Sequence, residues 1–234
     1  MSDWQQELKK ECRLNDGQIS QLEKLLDLVA VEKNSKLTAV SGTRNIVRVH
    51  FNDSLWLLRL PELAEATAVA DIGSGAGFPG LPLAIARPQS RFVLIEANRR
   101  KSDFVSRSAS ALGLDNVRVL PARAEEAARS DLRESFDATL ARAVGSLPEV
   151  LEYSIPLLRL GGYALLQRGA REPGDDAAAK TAGKALGGEL VRVETAKPYP
   201  EAKNLHVWIF KKTADTPSAY PRRPGIPRKR PLSG

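Results

Sequence analysis

The sequence predicts an α/β protein built on a mostly parallel sheet covered by helices on both faces. Three observations carry that expectation. Strand-like and helix-like segments alternate from residue 68 to residue 211, the pattern of a parallel sheet with helical crossovers. The first strand-like run breaks into a glycine-dense turn, Gly73-Ser74-Gly75-Ala76-Gly77-Phe78-Pro79-Gly80, as in a Rossmann-like nucleotide loop. The last two strand-like runs, 189–195 and 205–211, lie about nine residues apart with Pro198 and Pro200 between them. That is too short for a helical crossover, so the last strand is expected to pair antiparallel.

Element by element, Trp4 and Leu8 indicate a short first helix. Residues 16–33 carry Ile19, Leu22, Leu25, Leu26 and Val29 at helical spacing, with Asn15 or Asp16 as N-cap. A third amphipathic helix is expected from Thr43 to about Leu58, carrying Ile46, Val47, Leu55 and Leu58. Together these form an N-terminal helical preface over 1–60. The core, 61–212, then reads strand 68–72, helix 79–87, strand 91–95, helix 99–112, strand 117–120, a short helix and strand 136–141. Helix 147–158, the pair Gly161-Gly162, strand 163–167 and helix 175–187 lead to the final two strands. Residues 213–234 are rich in Pro and Arg and are expected to be extended rather than packed.

At 234 residues the chain can bury one good core, and 42% hydrophobic with 27% charged residues fits a globular protein. No apolar run approaches the ~20 residues of a membrane span, and Met1-Ser2-Asp3-Trp4 opens no signal peptide, so no membrane partner is expected. Cys12 is the only cysteine, which rules out intrachain disulfides and fits a reducing cytoplasm. With His50 and His206 as the only histidines, no zinc-ligand spacing exists and no metal is expected. Of the net charge of +7, the stretch from Lys211 onward carries +6. A nearly neutral body with a basic tail is the pattern of a nucleic-acid-binding arm.

The chemistry starts at Asp71. Counted from Gly75, the turn satisfies the dinucleotide fingerprint G-x-G-x-x-G; counted from Asp71, it satisfies acidic-x-G-x-G-x-G, the loop of S-adenosylmethionine (SAM) enzymes. Both loops use glycine, at Gly73 and Gly75 here, for a tight turn and close backbone approach. Their ligands differ in charge. A pyrophosphate is repelled by a neighbouring carboxylate, whereas the ammonium and sulfonium of SAM are attracted to one, by roughly 1 to 4 kcal/mol at about 4 Å. Asp71 tips the reading toward SAM as cofactor. Glu96, 21 residues after Gly75 and at the end of a strand, stands where an acidic residue accepts hydrogen bonds from both ribose hydroxyls. The loop Pro121 to Glu126 follows the third strand and flanks the adenine in such folds, although Glu125 and Glu126 suit the first turn of a helix equally.

With these residues in view, the sequence resembles the bacterial small-subunit ribosomal RNA methyltransferase G family, also called glucose-inhibited division protein B, from about Lys36 to Leu232. The resemblance rests on His50-Phe51-Asn52-Asp53-Ser54-Leu55, Asp71 to Leu83, Arg123-Ala124-Glu125-Glu126, Ala141-Arg142-Ala143 and Tyr220-Pro221-Arg222-Arg223-Pro224-Gly225-Ile226-Pro227. It implies a class I SAM-dependent methyltransferase that modifies guanine N7 in the decoding-region loop of 16S ribosomal RNA, with S-adenosylhomocysteine as product. It also implies SAM contacts at Gly73, Phe78, Ala124, Glu125 and Arg142. The partner implied is 16S RNA or a small-subunit particle. Two departures are visible: Lys36-Leu37-Thr38 stands for the family's Asn-Leu-Thr, and Arg168-Gly169 for its Lys-Gly.

The residues agree with that chemistry. The turn after the fourth strand is Ala141-Arg142-Ala143-Val144, not the (Asp/Asn)-Pro-Pro-aromatic turn common in adenine amine transfer. Cys12 lies far from the loop, against a cysteine nucleophile. Guanine N7 has a free in-plane lone pair and its product has no proton to lose, so no catalytic side chain is required beyond positioning. Arg123 and Arg142 sit in loops at the carboxyl side of the sheet, where they can hold the SAM carboxylate or an RNA phosphate. Lys101, with Arg99 and Arg100, either lines an RNA path or forms a solvated face, and Tyr220, Arg222 and Arg223 are the RNA contacts expected of the tail. His50, Asp53 and Ser54 share one helix face, as a polar cluster or as a substrate mouth. Two alternatives stand beside this reading: an NAD-type oxidoreductase using the literal G-x-G-x-x-G, and a non-catalytic RNA-binding protein that senses SAM.

Overall fold

The fold is taken from a computed structural model describing residues 1–32, 40 and 42–232. Lys36-Leu37-Thr38 lies outside the described residues. Helices α1 (Asp3–Glu11) and α2 (Asp16–Val31) are followed by a continuous helical run over 43–59. That run comprises α3 (Thr43–Ile46), a π-helical stretch Val47–Asn52, α4 (Asp53–Trp56) and a 3-10 turn Leu57–Arg59. After α5 (Pro61–Ala64) come β1 (Ala68–Ile72), α6 (Gly80–Ala86), β2 (Arg91–Ile95), α7 (Arg99–Ala111), β3 (Val117–Leu120), α8 (Ala124–Ala127) and β4 (Phe136–Arg142). The chain continues through α9 (Leu147–Ser154), β5 (Leu158–Arg168), α10 (Asp175–Leu186), β6 (Gly188–Ala196), β7 (Leu205–Lys212) and α11 (Ile226–Lys229).

The seven strands form one sheet in the order β3-β2-β1-β4-β5-β7-β6. β1 to β5 are parallel, and β7 runs antiparallel to both β5 and β6, as the short connection between the last two strands requires. Strand order reverses between β1 and β4, so a crevice opens beyond their carboxyl ends. In that crevice Ile72 pairs with Ile95 on one side and Ala141 on the other.

Alternation along β1 explains the two cores. Val69 joins the buried cluster with Leu22, Leu25, Phe51, Leu81 and Phe104, while Ala70 and Ile72 join the opposite one with Leu151, Leu186, Trp208 and Phe210. The N-terminal helices therefore share a core with the sheet. Leu22 and Leu25 are fully buried, worth about 1.5 to 3 kcal/mol each. Helix α2 also serves the ends of its neighbours. Gln18 Nε2 donates to the Ile85 carbonyl at 2.9 Å, and Gln21 Nε2 to that of Leu112 at 2.8 Å, pairing carbonyls that a helix terminus leaves orphaned.

Two boundaries differ from expectation by more than two residues. Helix 147–158 ends at Ser154, because Pro156 removes a donor and restricts the residue before it; a 3-10 turn Ile155–Leu157 follows. Strand β5 runs straight through Gly161-Gly162 instead of starting after them. A Cβ at Gly162 would lie 2.9 Å from the Asp137 carbonyl oxygen, so glycine permits a close strand approach beside a register irregularity.

The larger correction concerns the tail. It is neither extended nor free: residues 216–230 form a strap packed against the second core and ending in α11. Arg133 donates to the carbonyls of Thr216 and Tyr220, both at 2.8 Å, and Arg129 Nε to that of Pro221 at 2.9 Å. Arg222 forms a fork with the carboxylate of Glu152, which is fully buried in α9. Of the cations from Lys211 onward, Lys211 lies half-buried over the Tyr163 ring, Lys212 is buried against Glu134 and Arg222 is paired, which leaves Arg223, Arg228, Lys229 and Arg230 exposed. Tyr220 is half-buried against the core, so its ring is not presented as a free stacking platform. Among the described residues, no helix is long and apolar enough to cross a membrane.

Candidate active site

The glycine loop turns between β1 and α6 with Gly73, Gly75 and Gly77 at φ of 65°, 59° and 90°, a region that disfavours any side chain. The Gly73 N–H donates to the Ile95 carbonyl at 2.8 Å, tying the loop to β2. Gly80 has a packing role. A Cβ there would lie 2.7 Å from Asp71 Oδ2 and 2.9 Å from Leu94 Cγ, so glycine lets α6 close onto the sheet.

Asp71 itself is fully buried. Its Oδ2 accepts the Gly80 N–H at 2.8 Å, and its Oδ1 is buried with no protein partner. The carboxylate thus occupies the first turn of α6, where a pyrophosphate would have to sit, and this removes the dinucleotide reading on physical grounds. Asp71 thus stands behind the loop, not on the wall of a cavity. Burial raises its pKa to about 7; the Gly80 N–H and Arg142 oppose the rise, and Glu96 adds to it. A folded-state pKa above the unfolded value makes the carboxyl favour folding below pH ~4, and that contribution is lost as pH rises toward 7. Asp71→Asn is therefore expected to abolish this decline in urea-unfolding stability between pH 4 and 8, while weakening SAM affinity several-fold at pH 8. Equal SAM affinity in the two proteins at pH 8 would remove Asp71 from the cofactor site.

Two cavities open at the carboxyl ends of the strands. The first, about 380 Å³, is bounded by Gly73, Glu96, Ala124, Glu125, Val144 and Glu149, with Arg123 and Arg228 also on its walls. It brings together Gly73, Glu96, Ala124, Glu125 and Arg123, as the sequence predicts. Glu96 is held in place by the N–H groups of Gly75 at 2.9 Å and Asn98 at 2.7 Å. Each carboxylate oxygen keeps a lone pair for a vicinal diol. The volume and donor set fit SAM: a carboxylate for the ribose, glycine backbone at the turn, and buried negative charge behind it.

The second cavity, about 480 Å³, is lined by His50, Asp53, Arg142, Gln167, Arg168 and His206 among others. Arg142 lines this cavity and is not on the wall of the first. Its Nη1 donates to the Val49 carbonyl at 3.0 Å and Asp53 Oδ2 at 2.9 Å, and its Nη2 lies 3.0 Å from His50 Nδ1. The π-helical stretch turns Val49, His50 and Asp53 toward one guanidinium. Phe78 is buried with its ring stacked on His50 at 4.4 Å, so its ring is not on the wall of the first cavity either. Ser54 turns away and donates to the His50 carbonyl. Burial and then the Arg142 charge lower the His50 pKa to about 4, leaving a neutral imidazole. Tyr220, Arg222, Arg223 and Lys101 line neither cavity.

Sequence reasoning missed Gln167, whose Nε2 donates to the Asp53 carbonyl at 2.8 Å and to Asp53 Oδ1 at 3.1 Å. It also missed the Glu149–Tyr153 hydrogen bond of 2.9 Å in α9. The i,i+4 spacing of Glu149 and Tyr153 was a visible signal; for Gln167 there was only its place at a strand end. One short loop divides the cavities: Ala143 lines the second, Val144 and Gly145 the first. Arg168 secures that loop by donating to the Gly145 carbonyl.

A glycine loop with a buried acid behind it, a strand-end carboxylate held by two backbone N–H groups and a second cavity across one loop fit a SAM-dependent methyltransferase. The chain belongs to the rRNA small subunit methyltransferase G (GidB) family, whose profile matches residues 18–203. Proteins named ribosomal RNA small subunit methyltransferase G from Syntrophomonas wolfei and Chloroflexus aggregans are 43% and 42% identical to it. The first aligns with 86% of this chain and 94% of its own length, the second with 94% and 92%. In fold, the chain is similar to a SAM-dependent O-methyltransferase from Thermotoga maritima (TM-score 0.56, 15% identity, 81% of this chain and 71% of that one). It is also similar to M. jannaschii TYW2 in complex with AdoMet (TM-score 0.52, 15% identity, 85% and 78%).

Proposed function

We propose that this chain transfers a methyl group from SAM to N7 of a guanine in the decoding-region loop of 16S ribosomal RNA. The observation that carries the reading is the pair of cavities separated by the loop 143–145, with the polar groups around Arg142 in the second committed to one another. His50 is neutral, its Nδ1 facing Arg142, and Asp53 is held by Arg142 and Gln167. A reaction that must remove a proton is poorly served there, whereas N7 only needs to be held in line. Bound SAM supplies an electrophilic methyl on a sulfonium. The protein's part is positioning: Glu96 and the glycine loop orient the cofactor, and the Arg142 network shapes a rigid mouth that limits water. Arg123 and Arg228 on the wall of the first cavity, and Lys101, Arg223, Lys229 and Arg230 outside both, are exposed or half-exposed and suit phosphate contacts.

The test is chemical. N7-methylguanine makes RNA cleavable by borohydride and aniline, so 16S RNA incubated with protein and SAM is expected to break at one guanine of the decoding region. Methyl incorporation without such cleavage would reject N7 as the acceptor. A second expectation concerns pH. With no proton to remove and His50 neutral above pH 4, the single-turnover rate at saturating SAM should stay flat from about pH 6.5 to 9. At limiting SAM it should fall below pH 7, as Asp71 gains a proton and loses its attraction for the cationic cofactor. A steep rise with pH at saturation would contradict N7 chemistry.

A further inference from the structure

Glu125 lies on the wall of the cofactor cavity, yet its Oε1 accepts the backbone N–H of Gly225, 100 residues later, at 2.9 Å. Three residues beyond Gly225, Arg228 lines the same cavity. The path of the strap to this point is set by buried partners. Arg222 is anchored on Glu152, and Glu149, one helical turn before Glu152, is itself a wall residue. The carbonyls of Tyr220 and Pro221 are held by Arg133 and Arg129. A segment far away in sequence thus supplies both a hydrogen bond to a wall carboxylate and a cation facing the cavity.

We infer that the strap 216–230 is a wall of the cofactor site and that Arg228 is a cofactor-binding residue. This rests on the reading of that cavity as the SAM site. Arg228 brings a planar cation to the side where Ala124 and Glu125 stand, and a guanidinium stacks well on a purine. Because the wall exists only when the strap is docked, cofactor binding and docking stabilise each other by the same factor. Arg223, Lys229 and Arg230 ride on the same strap with their side chains exposed. Contact of RNA with these residues would therefore reach the cofactor through the backbone that carries them.

Arg228→Ala, at an exposed position, is expected to lower SAM affinity by about tenfold in calorimetry without changing the melting temperature of the free protein. In the wild-type chain, saturating SAM is expected to slow hydrogen exchange of backbone amides in 218–230, that of Gly225 included, while amides of β6 stay unaffected. Unchanged affinity in Arg228→Ala, or unchanged exchange in the strap of a chain that does bind SAM, overturns the inference. If the wild-type chain binds no SAM at all, the cofactor reading itself fails, and the inference falls with it.

Discussion

Replacing Gly73 by valine is expected to abolish SAM binding while leaving the circular dichroism of the protein nearly unchanged. The residue has φ of 65°, where a side chain costs roughly 1 to 2 kcal/mol. Its new Cβ would also stand 2.9 Å from Val144 Cγ2 and 3.3 Å from Cγ1. Val144 cannot yield freely, because it belongs to the loop that divides the two cavities and is secured by Arg168. The strain is therefore passed to the cofactor wall, and a branched side chain intrudes where the ligand must lie against backbone. Calorimetry with SAM should show at least a hundredfold loss, with a melting temperature lowered by a few degrees. Gly73→Ala should fall between the two. Valine and wild-type proteins of equal SAM affinity would sink the assignment of this loop.

The second large effect is expected from Arg222→Ala. The change leaves the Glu152 carboxylate, fully buried in α9, without its guanidinium. Removing one partner of a buried ion pair costs about 3 to 5 kcal/mol. The lower figure applies here, because the Arg222 side chain keeps 26% of its surface exposed. Urea unfolding should report about 3 kcal/mol of lost stability, and the strap should become protease-sensitive. The double variant Arg222→Ala/Glu152→Gln separates charge from packing: removing the stranded charge should restore much of the loss. If Arg222→Ala unfolds like wild type, the pair is a surface contact and the strap is held by other bonds.

How much was legible follows the range of the interactions involved. The strands and most helix limits were readable because period and turn chemistry are local; β1 and β3 begin and end where the apolar runs do. The lining of the first cavity was readable in part for the same reason, since Gly73, Glu96, Ala124 and Glu125 follow strand ends. For Arg142 the sequence shows a strand end but not which of the two cavities its guanidinium faces. Only the π-helical offset of Val49, His50 and Asp53 decides which side claims it. The tail was misread for a different reason. Proline and arginine give it the composition of a solvated arm, but its carbonyls find Arg129 and Arg133 and its Arg222 finds Glu152, 70 to 92 residues away. No local pattern contains those pairings.

The strap also sets an order of events at the ribosome. Synthesis runs from the N-terminus, so all seven strands emerge before Arg222 does. A nascent chain that has completed its sheet still lacks the Arg222 partner of Glu152 and the Gly225 partner of Glu125. The sheet can form at that stage, but the finished protein is distinguished from a prematurely ended one by the late strap and its bonds to Arg129, Arg133, Glu125 and Glu152. An abortive product stopping in 213–221 would carry all seven strands with Glu152 deprived of its guanidinium, and would be open to proteolytic clearance.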